Sequence, residues 1–194
     1  MTAESAVSHR LVLKDHIGVV ELMRAAEELG WDSLGMRDRD PVRRSYTELA
    51  WETAHGAAVH YIEDEFADER YVIARGGTAS ARERVLADFA ARVDVWTLDD
   101  LMYEVSAAAY PAGRARAVMR LGVGSPPAAV DGVVVRITRA AADPDPRVRK
   151  TAVWAMAYAD WPEYGDALTF ASADRDPAIA RAAAKVLDRL GEAA

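Results

Sequence analysis

The chain has 194 residues, is 51% hydrophobic and carries a formal net charge of −7. It contains no cysteine, which excludes disulfide bonds, thiolate metal sites and a cysteine nucleophile. The acidic excess lies in the first half, because residues 1–97 carry 12 basic and 18 acidic side chains and residues 98–194 carry 12 and 13. This balance disfavours a general nucleic-acid binder, which usually has a basic excess.

Targeting signals are not evident in the sequence. No apolar run approaches the roughly 20 residues that a membrane span needs. Residues 1–8 lack the basic-then-apolar layout of a secretory signal. We therefore expect a cytoplasmic protein with no membrane partner.

The first part of the chain, residues 1–95, is predicted to form a small α+β domain. Apolar residues recur at helical spacing in 17–29 and 79–93, which predicts two amphipathic helices. Residues 10–13 are consistent with a strand, and residues 33–44 have the composition of a polar loop. We expect this domain to cap one open end of the helical array that follows.

Three short antiparallel strands are predicted between the two helices, where polar and apolar residues alternate. They are expected at 47–53, 57–62 and 69–75. A single long helix through this region is the rival interpretation. The break at Gly56 and the β-branched residues disfavour that helix.

Two copies of a short signature occur in the second half, at 143–152 (DPDPRVRKTA) and 174–183 (DRDPAIARAA). Their Asp-Pro pairs lie 31 residues apart, and such a period indicates stacked repeats. Each copy has the pattern of a helix start. Asp145 and Asp176 are suited to cap the free amides of the first turn, and a proline is tolerated at the first helical position.

Helical spacing of apolar residues predicts a helix before and after each signature, and a weaker third copy starts at Pro111. Three helix pairs are expected within residues 96–194, at about 97–122, 126–160 and 162–191. This half of the chain resembles the HEAT-like repeat family, in the short form found in phycobilisome-lyase-type repeat proteins. It departs from that pattern at Ala180, where the family has an arginine.

The resemblance implies that the second helix of each pair lines a concave surface, and that the Asp and Arg of the signature brace neighbouring turns. A basic stripe with aromatic members is expected on that surface, opposite the core residues. Its predicted partner-binding residues are Arg116, Arg120, Arg147, Lys150, Trp154, Tyr158, Arg181, Lys185 and Arg189, with Met119 among them. The stripe would suit an acidic protein segment or a nucleic-acid backbone; the simpler interpretation is a solvated face in an arginine-rich protein.

An acidic turn is the second candidate surface. Its residues are Glu63, Asp64, Glu65, Asp68 and Glu69. It is suited to meet a basic partner, as an immunity protein meets a nuclease toxin. The alternative is a charged turn that keeps a sheet edge soluble. The spacing fits no calcium loop.

No motif indicates catalysis, a metal site or a cofactor. The histidines, His9, His16, His55 and His60, have no zinc-site spacing, and structural or solvent roles are expected for them. Gly122-Val-Gly124 is followed by Ser-Pro-Pro, so it is no nucleotide fingerprint. No GxSxG or P-loop occurs either.

The sequence therefore favours a non-enzymatic module that binds a protein partner on the concave face of a short HEAT-like array. Two alternatives stay open. One is a DNA-binding protein of the HEAT-like alkylpurine glycosylase type, in which Trp154, Trp161 and Asp160 would be the residues to suspect. The other is an immunity-type inhibitor of a basic toxin.

Overall fold

A computed structural model describes residues 7–38 and 47–193. The chain divides into two compact units, Met1–Trp96 and Thr97–Ala194. The fold class is α+β, as the sequence predicts. Within the described residues, each helix is too short or too polar to cross a bilayer.

The first unit is built on a sheet that has five antiparallel strands in the described part of the chain, in the order β1-β5-β4-β3-β2. The strands are β1 (Leu11–Val12), β2 (Asp32–Arg37), β3 (Thr47–Glu52), β4 (Ala57–Asp64) and β5 (Glu69–Gly76). Two helices accompany them, α1 (Val19–Glu28) and α2 (Ala79–Ala90). The predicted strands at 47–53, 57–62 and 69–75 are confirmed as the three inner strands, and the rival long helix is excluded.

The expectation of only three strands needs correction. The loop predicted at 33–44 begins as strand β2, which pairs with β3, and its part from residue 39 onward lies outside the described residues. All six residues of β2 are exposed. Leu34 and Met36 alternate with Gly35 and Arg37, but this run is short and neither of its faces is buried, so the pattern does not distinguish it from a polar loop. At the other edge, β1 pairs with β5, as the pattern at 10–13 suggests.

Helices α1 and α2 share one hydrophobic core with the sheet. The core takes the alternate strand residues that face the helices, including Trp51, Val59, Tyr61 and Val72, together with Leu22 of α1 and Phe89 of α2. Thr78 begins α2 by accepting a hydrogen bond from the Ala81 amide at 3.2 Å. The intervening strand residues, such as Glu48 and His60, therefore lie on the opposite face of the sheet.

The second unit is helical throughout the described residues. Its helices are α3 (Leu98–Ala107), α4 (Pro111–Val123), α5 (Asp131–Ala140), α6 (Pro146–Ala159), α7 (Gly165–Ala171) and α8 (Pro177–Ala193), with a 3-10 turn at Pro162–Tyr164. The predicted helix starts at Pro146 and Pro177 are confirmed. Asp145 accepts a hydrogen bond from the Arg147 amide at 2.9 Å, and Asp176 accepts one from the Ala178 amide at 2.8 Å.

Helices α4 and α6 pack with their backbones in close contact. A Cβ atom at Gly122 would lie 2.5 Å from Cα and 2.7 Å from the carbonyl oxygen of Ala155. These distances are far below van der Waals contact, so glycine is required where the two helices cross. The contact holds the second helices of neighbouring pairs side by side.

Candidate functional site

Pairs of arginine and aspartate connect the turns of successive helix pairs. Arg114 donates from Nε to Oδ2 of Asp143 at 3.0 Å. One repeat later, Arg149 donates from Nε to Oδ2 of Asp174 at 2.6 Å. Ala180 stands where a third arginine would follow, so the series ends at Asp174 within the described residues. Asp143, Arg149 and Asp174 of the signature thus have structural roles, because they connect the turns between helices.

Helices α6 and α8 are held in parallel register at both ends. Near their starts, Arg149 of α6 reaches Asp174, which lies just before α8. Near their ends, Nη2 of Arg189 donates to the carbonyl oxygen of Ala157 at 2.7 Å and to Oδ1 of Asp160 at 2.9 Å. Residues at equal distances from Pro146 and Pro177 therefore lie at equal heights on the two helices.

Six residues occupy the same three positions of these two helices, at four, eight and twelve residues after the proline. They form what we call the α6–α8 face: Lys150, Trp154 and Tyr158 on α6, and Arg181, Lys185 and Arg189 on α8. The four cations are exposed, and the two aromatic side chains are half-buried. Because four residues make about one helical turn, each set of three shares one side of its helix.

The two arginines expected from α4 do not extend this face. Arg120 lies nine residues after Pro111, and the core residue Ala155 lies nine residues after Pro146, so the two positions correspond. A shift of one position rotates a side chain by about 100°. Arg120 is accordingly 1% exposed, and its Nη1 donates to both carboxylate oxygens of Glu104, at 3.0 and 3.2 Å. Arg116 is exposed but is also one position away from the stripe.

Not every cation of the predicted stripe is available to a ligand. Arg147 is exposed and donates from Nε and Nη2 to Asp145, at 3.0 and 2.7 Å. These bonds from Arg147 lower the pKa of Asp145 to about 2. By contrast, Lys150, Arg181 and Lys185 make no side-chain hydrogen bond or ion pair with any described residue.

Three of the five carboxylates of the predicted acidic turn are buried or hydrogen-bonded. Asp64 is 2% exposed; its Oδ1 accepts the amides of Phe66 and Ala67, and its Oδ2 accepts the hydroxyl of Tyr71. Glu69 is buried as well, and Glu63 accepts the hydroxyl of Tyr61 at 2.8 Å. Only Glu65 and Asp68 of the five are exposed. The turn needs Asp64 inside because its carboxylate satisfies otherwise unpaired backbone amides.

The residues suspected for a glycosylase-type site serve packing and bracing instead. Trp161 is 2% exposed, stacks on Tyr164 with ring centroids 5.8 Å apart, and donates from Nε1 to the carbonyl oxygen of Pro126. Asp160 ends α6 in the left-handed conformation and accepts from Arg189. Of the three suspected residues, Trp154 alone belongs to the α6–α8 face.

The histidines have separate surroundings. Burial lowers the pKa of His9, an effect that the charge of Glu83 opposes. His16 lies 3.5 Å from Asp94, and His55 lies in the turn between β3 and β4. No group of three or more histidine, aspartate or glutamate side chains among the described residues is placed to hold a metal ion.

Sequence reasoning missed one polar cluster, on the face of the sheet opposite α1 and α2. There His60 of β4 contacts Glu48 of β3, and Arg37 and Arg75 approach the same carboxylate. The alternation of β3 and β4 places Glu48 and His60 on one face, but the strand register that brings the two arginines to them is a tertiary feature.

In comparisons with known proteins, no family model, no curated protein and no solved structure matches the chain.

Proposed function

We propose that the chain is a cytoplasmic, non-enzymatic binding module, in which a short HEAT-like array presents the α6–α8 face to an acidic segment of a protein partner. One observation carries this proposal. Lys150, Arg181 and Lys185 are exposed on adjacent helices and form no ion pair with a described residue. They lie on the same side as the half-buried aromatic ring of Trp154.

The charge arrangement has no evident structural benefit. Arg181 and Lys185 are four residues apart on α8, and like charges at this spacing destabilise a helix by a few tenths of a kcal/mol. Lys150 adds a third positive charge on the neighbouring helix. A partner that brings carboxylates to this face would relieve the repulsion, which is the physical basis of the proposed binding.

The aromatic side chains supply the second element of a binding surface. Trp154 and Tyr158 offer broad, rigid surfaces that lose little conformational entropy on binding, and tryptophan and tyrosine are enriched at interface hot spots. Cations around an aromatic centre suit a segment that combines acidic and apolar residues. The affinity is expected to fall with added salt, because exposed charges are screened.

The alternatives have less support from the geometry. An immunity-type inhibitor that uses the acidic turn would present Glu65 and Asp68, since the other three carboxylates are buried or hydrogen-bonded. A DNA-binding protein would need more contacts with phosphates than this small cluster offers, and the chain is acidic as a whole.

The test is affinity capture with two charge-matched variants. The face variant is Lys150→Glu with Lys185→Glu. The control is Arg84→Glu with Arg139→Glu, which changes two exposed arginines outside the face by the same net charge. Both are used as bait, beside the unchanged protein, in extracts of the cells that produce it, and recovered proteins are quantified by mass spectrometry.

We expect at least one protein to be recovered about tenfold less by the face variant and equally by the control, with unchanged melting temperatures. Equal recovery by all three baits contradicts the proposal. A gel shift with duplex DNA at low salt addresses the nucleic-acid alternative. A shift that the face variant abolishes, with no protein captured, favours DNA binding over the proposal.

A further inference from the structure

The polar cluster on the sheet of the first unit is a separate site from the α6–α8 face. Nδ1 of His60 lies 2.6 Å from Oε1 of Glu48, a short distance typical of a charge-assisted hydrogen bond. Both side chains are largely withdrawn from solvent, with 16% and 15% exposed. Glu48 is therefore held by His60 and cannot swing away to follow other partners.

Two arginines approach this fixed carboxylate without forming hydrogen bonds to it. Nη1 of Arg75 lies 3.6 Å from Oε1 of Glu48, and Nη1 of Arg37 lies 3.6 Å from Oε2. At 3.6 Å a contact is electrostatic and not a hydrogen bond. Neither guanidinium makes a hydrogen bond with any other described residue, and their side chains are 47% and 73% exposed. Within the described residues, their N–H donors are thus not used in hydrogen bonds.

The local charge favours an anion. One carboxylate faces two permanently charged guanidiniums and an imidazole, so the cluster carries an excess of at least one positive charge. The nearest acidic residue on the same face is Asp64, two residues beyond Ile62, which is opposite Glu48 in the register of β3 and β4; it is 2% exposed and accepts hydrogen bonds from the Phe66 and Ala67 amides and the Tyr71 hydroxyl. Asp32 and Glu52 are farther away, at the far ends of β2 and β3, roughly 13 Å along the strand from Glu48. They do not neutralise the cluster.

Small residues border the charges on one side. Ala50 is opposite His60 in the register of β3 and β4, and it is opposite Gly35 in the register of β2 and β3. Ala58 is opposite Arg75 in the register of β4 and β5. A ligand over these three residues would lie beside the arginines, whereas the bulkier side chains of Ile62, opposite Glu48, and Ile73, opposite His60, border the cluster on its other side.

From this arrangement we propose that Arg37, His60 and Arg75 form a binding site for a phosphomonoester group. Guanidiniums match phosphate oxygens in two-point hydrogen bonds, and a phosphomonoester offers three acceptor oxygens and nearly two negative charges. The site takes the terminal phosphate of a small molecule. Glu48 holds the arginines together when the site is empty, and it competes with the ligand for them.

The experiment is isothermal titration of the full chain with inorganic phosphate, AMP, adenosine and a ten-nucleotide single strand of DNA. The site variant is Arg37→Gln with Arg75→Gln. The matched control is Arg24→Gln with Arg84→Gln, two exposed arginines of the same unit that make no hydrogen bond with a described residue. A third variant, Glu48→Gln, removes the competing carboxylate. Circular dichroism checks that each variant is folded.

We expect phosphate and AMP to bind and adenosine not to bind. Affinity should fall at least tenfold in the site variant, stay unchanged in the control, and rise a few-fold in Glu48→Gln. A purely structural ion cluster predicts the opposite for Glu48→Gln, namely a lower melting temperature and no gain in affinity. Absence of binding, equal losses in site and control variants, no gain in Glu48→Gln, or tighter binding of the DNA strand than of AMP overturns the proposal.

Discussion

The guanidinium of Arg149 donates two hydrogen bonds to the carboxylate of Asp174, at 2.6 Å from Nε and 3.1 Å from Nη2. Both side chains are withdrawn from solvent, with 8% and 7% exposed. The remaining nitrogen of Arg149 donates to the carbonyl oxygens of Asp143 and Pro144. One side chain therefore satisfies groups from two successive turns.

Removing either member of this pair should destabilise the second unit. Arg149→Met or Asp174→Asn leaves a buried charge without its partner, which costs about 3 kcal/mol. The double variant should be less destabilised than the sum of the two single variants, with a coupling of about 1–3 kcal/mol. Urea denaturation of the unchanged protein, the two single variants and the double variant measures this coupling. Additive losses would show that the two side chains do not interact.

Acid should weaken the second unit through the same turns. The hydrogen bond from Arg149 lowers the pKa of Asp174, and that from Arg147 lowers the pKa of Asp145 to about 2. Because the folded pKa lies below the ordinary value near 3.8, each carboxylate stabilises the native state above that value and loses its effect as pH falls through the folded pKa.

We therefore expect melting temperature to decline as pH falls from about 4 to 2, and to decline less steeply in Asp174→Asn. Thermal unfolding followed by circular dichroism across this range gives the slopes. The change Asp166→Asn, at an exposed residue of α7 with no side-chain bond to a described residue, is the control. Parallel slopes for the unchanged protein and Asp174→Asn would contradict the assignment.

The crossing of α4 and α6 should not tolerate a methyl group. In Gly122→Ala the new Cβ would overlap backbone atoms of Ala155, so the helices must separate, at a cost of about 1–3 kcal/mol. Gly113→Ala in the same helix is the control, since its nearest neighbour is 4.0 Å away. That change should be neutral or stabilising by up to about 1 kcal/mol. Equal stability of the two variants would refute the close contact.

The hydroxyl of Tyr164 is buried and has no hydrogen-bond partner among the described residues. Its ring is 0% exposed and stacks on Trp161. Tyr164→Phe should leave stability unchanged or raise it by about 1 kcal/mol, because an unsatisfied polar group is removed. Tyr61→Phe, which loses the bond to Glu63, should instead lower stability by about 1 kcal/mol. Chemical denaturation of both variants compares them, and a loss in Tyr164→Phe as large as in Tyr61→Phe would disprove the difference.

Local features of the sequence were sufficient for the elements with strong patterns. The helix starts at Pro146 and Pro177 follow from a capping aspartate and a proline at the first position, which act within one turn. The inner strands follow from alternation, because each has one face in a core. Strand β2 was missed because its alternation is limited to Leu34 and Met36 and neither of its faces lies in a core.

The sequence by itself determined the α+β class, the three inner strands and the helix starts, since these depend on contacts between residues a few positions apart. Only the tertiary structure decided which charged side chains are available. Arg120 and Asp64 read as surface charges, yet they are buried against Glu104 and against backbone amides. The pairing of Arg149 with Asp174, like the meeting of Arg37 with Glu48, joins residues that are remote in sequence. Such contacts depend on how helices and strands pack, and the periodicity of a single element does not encode that packing.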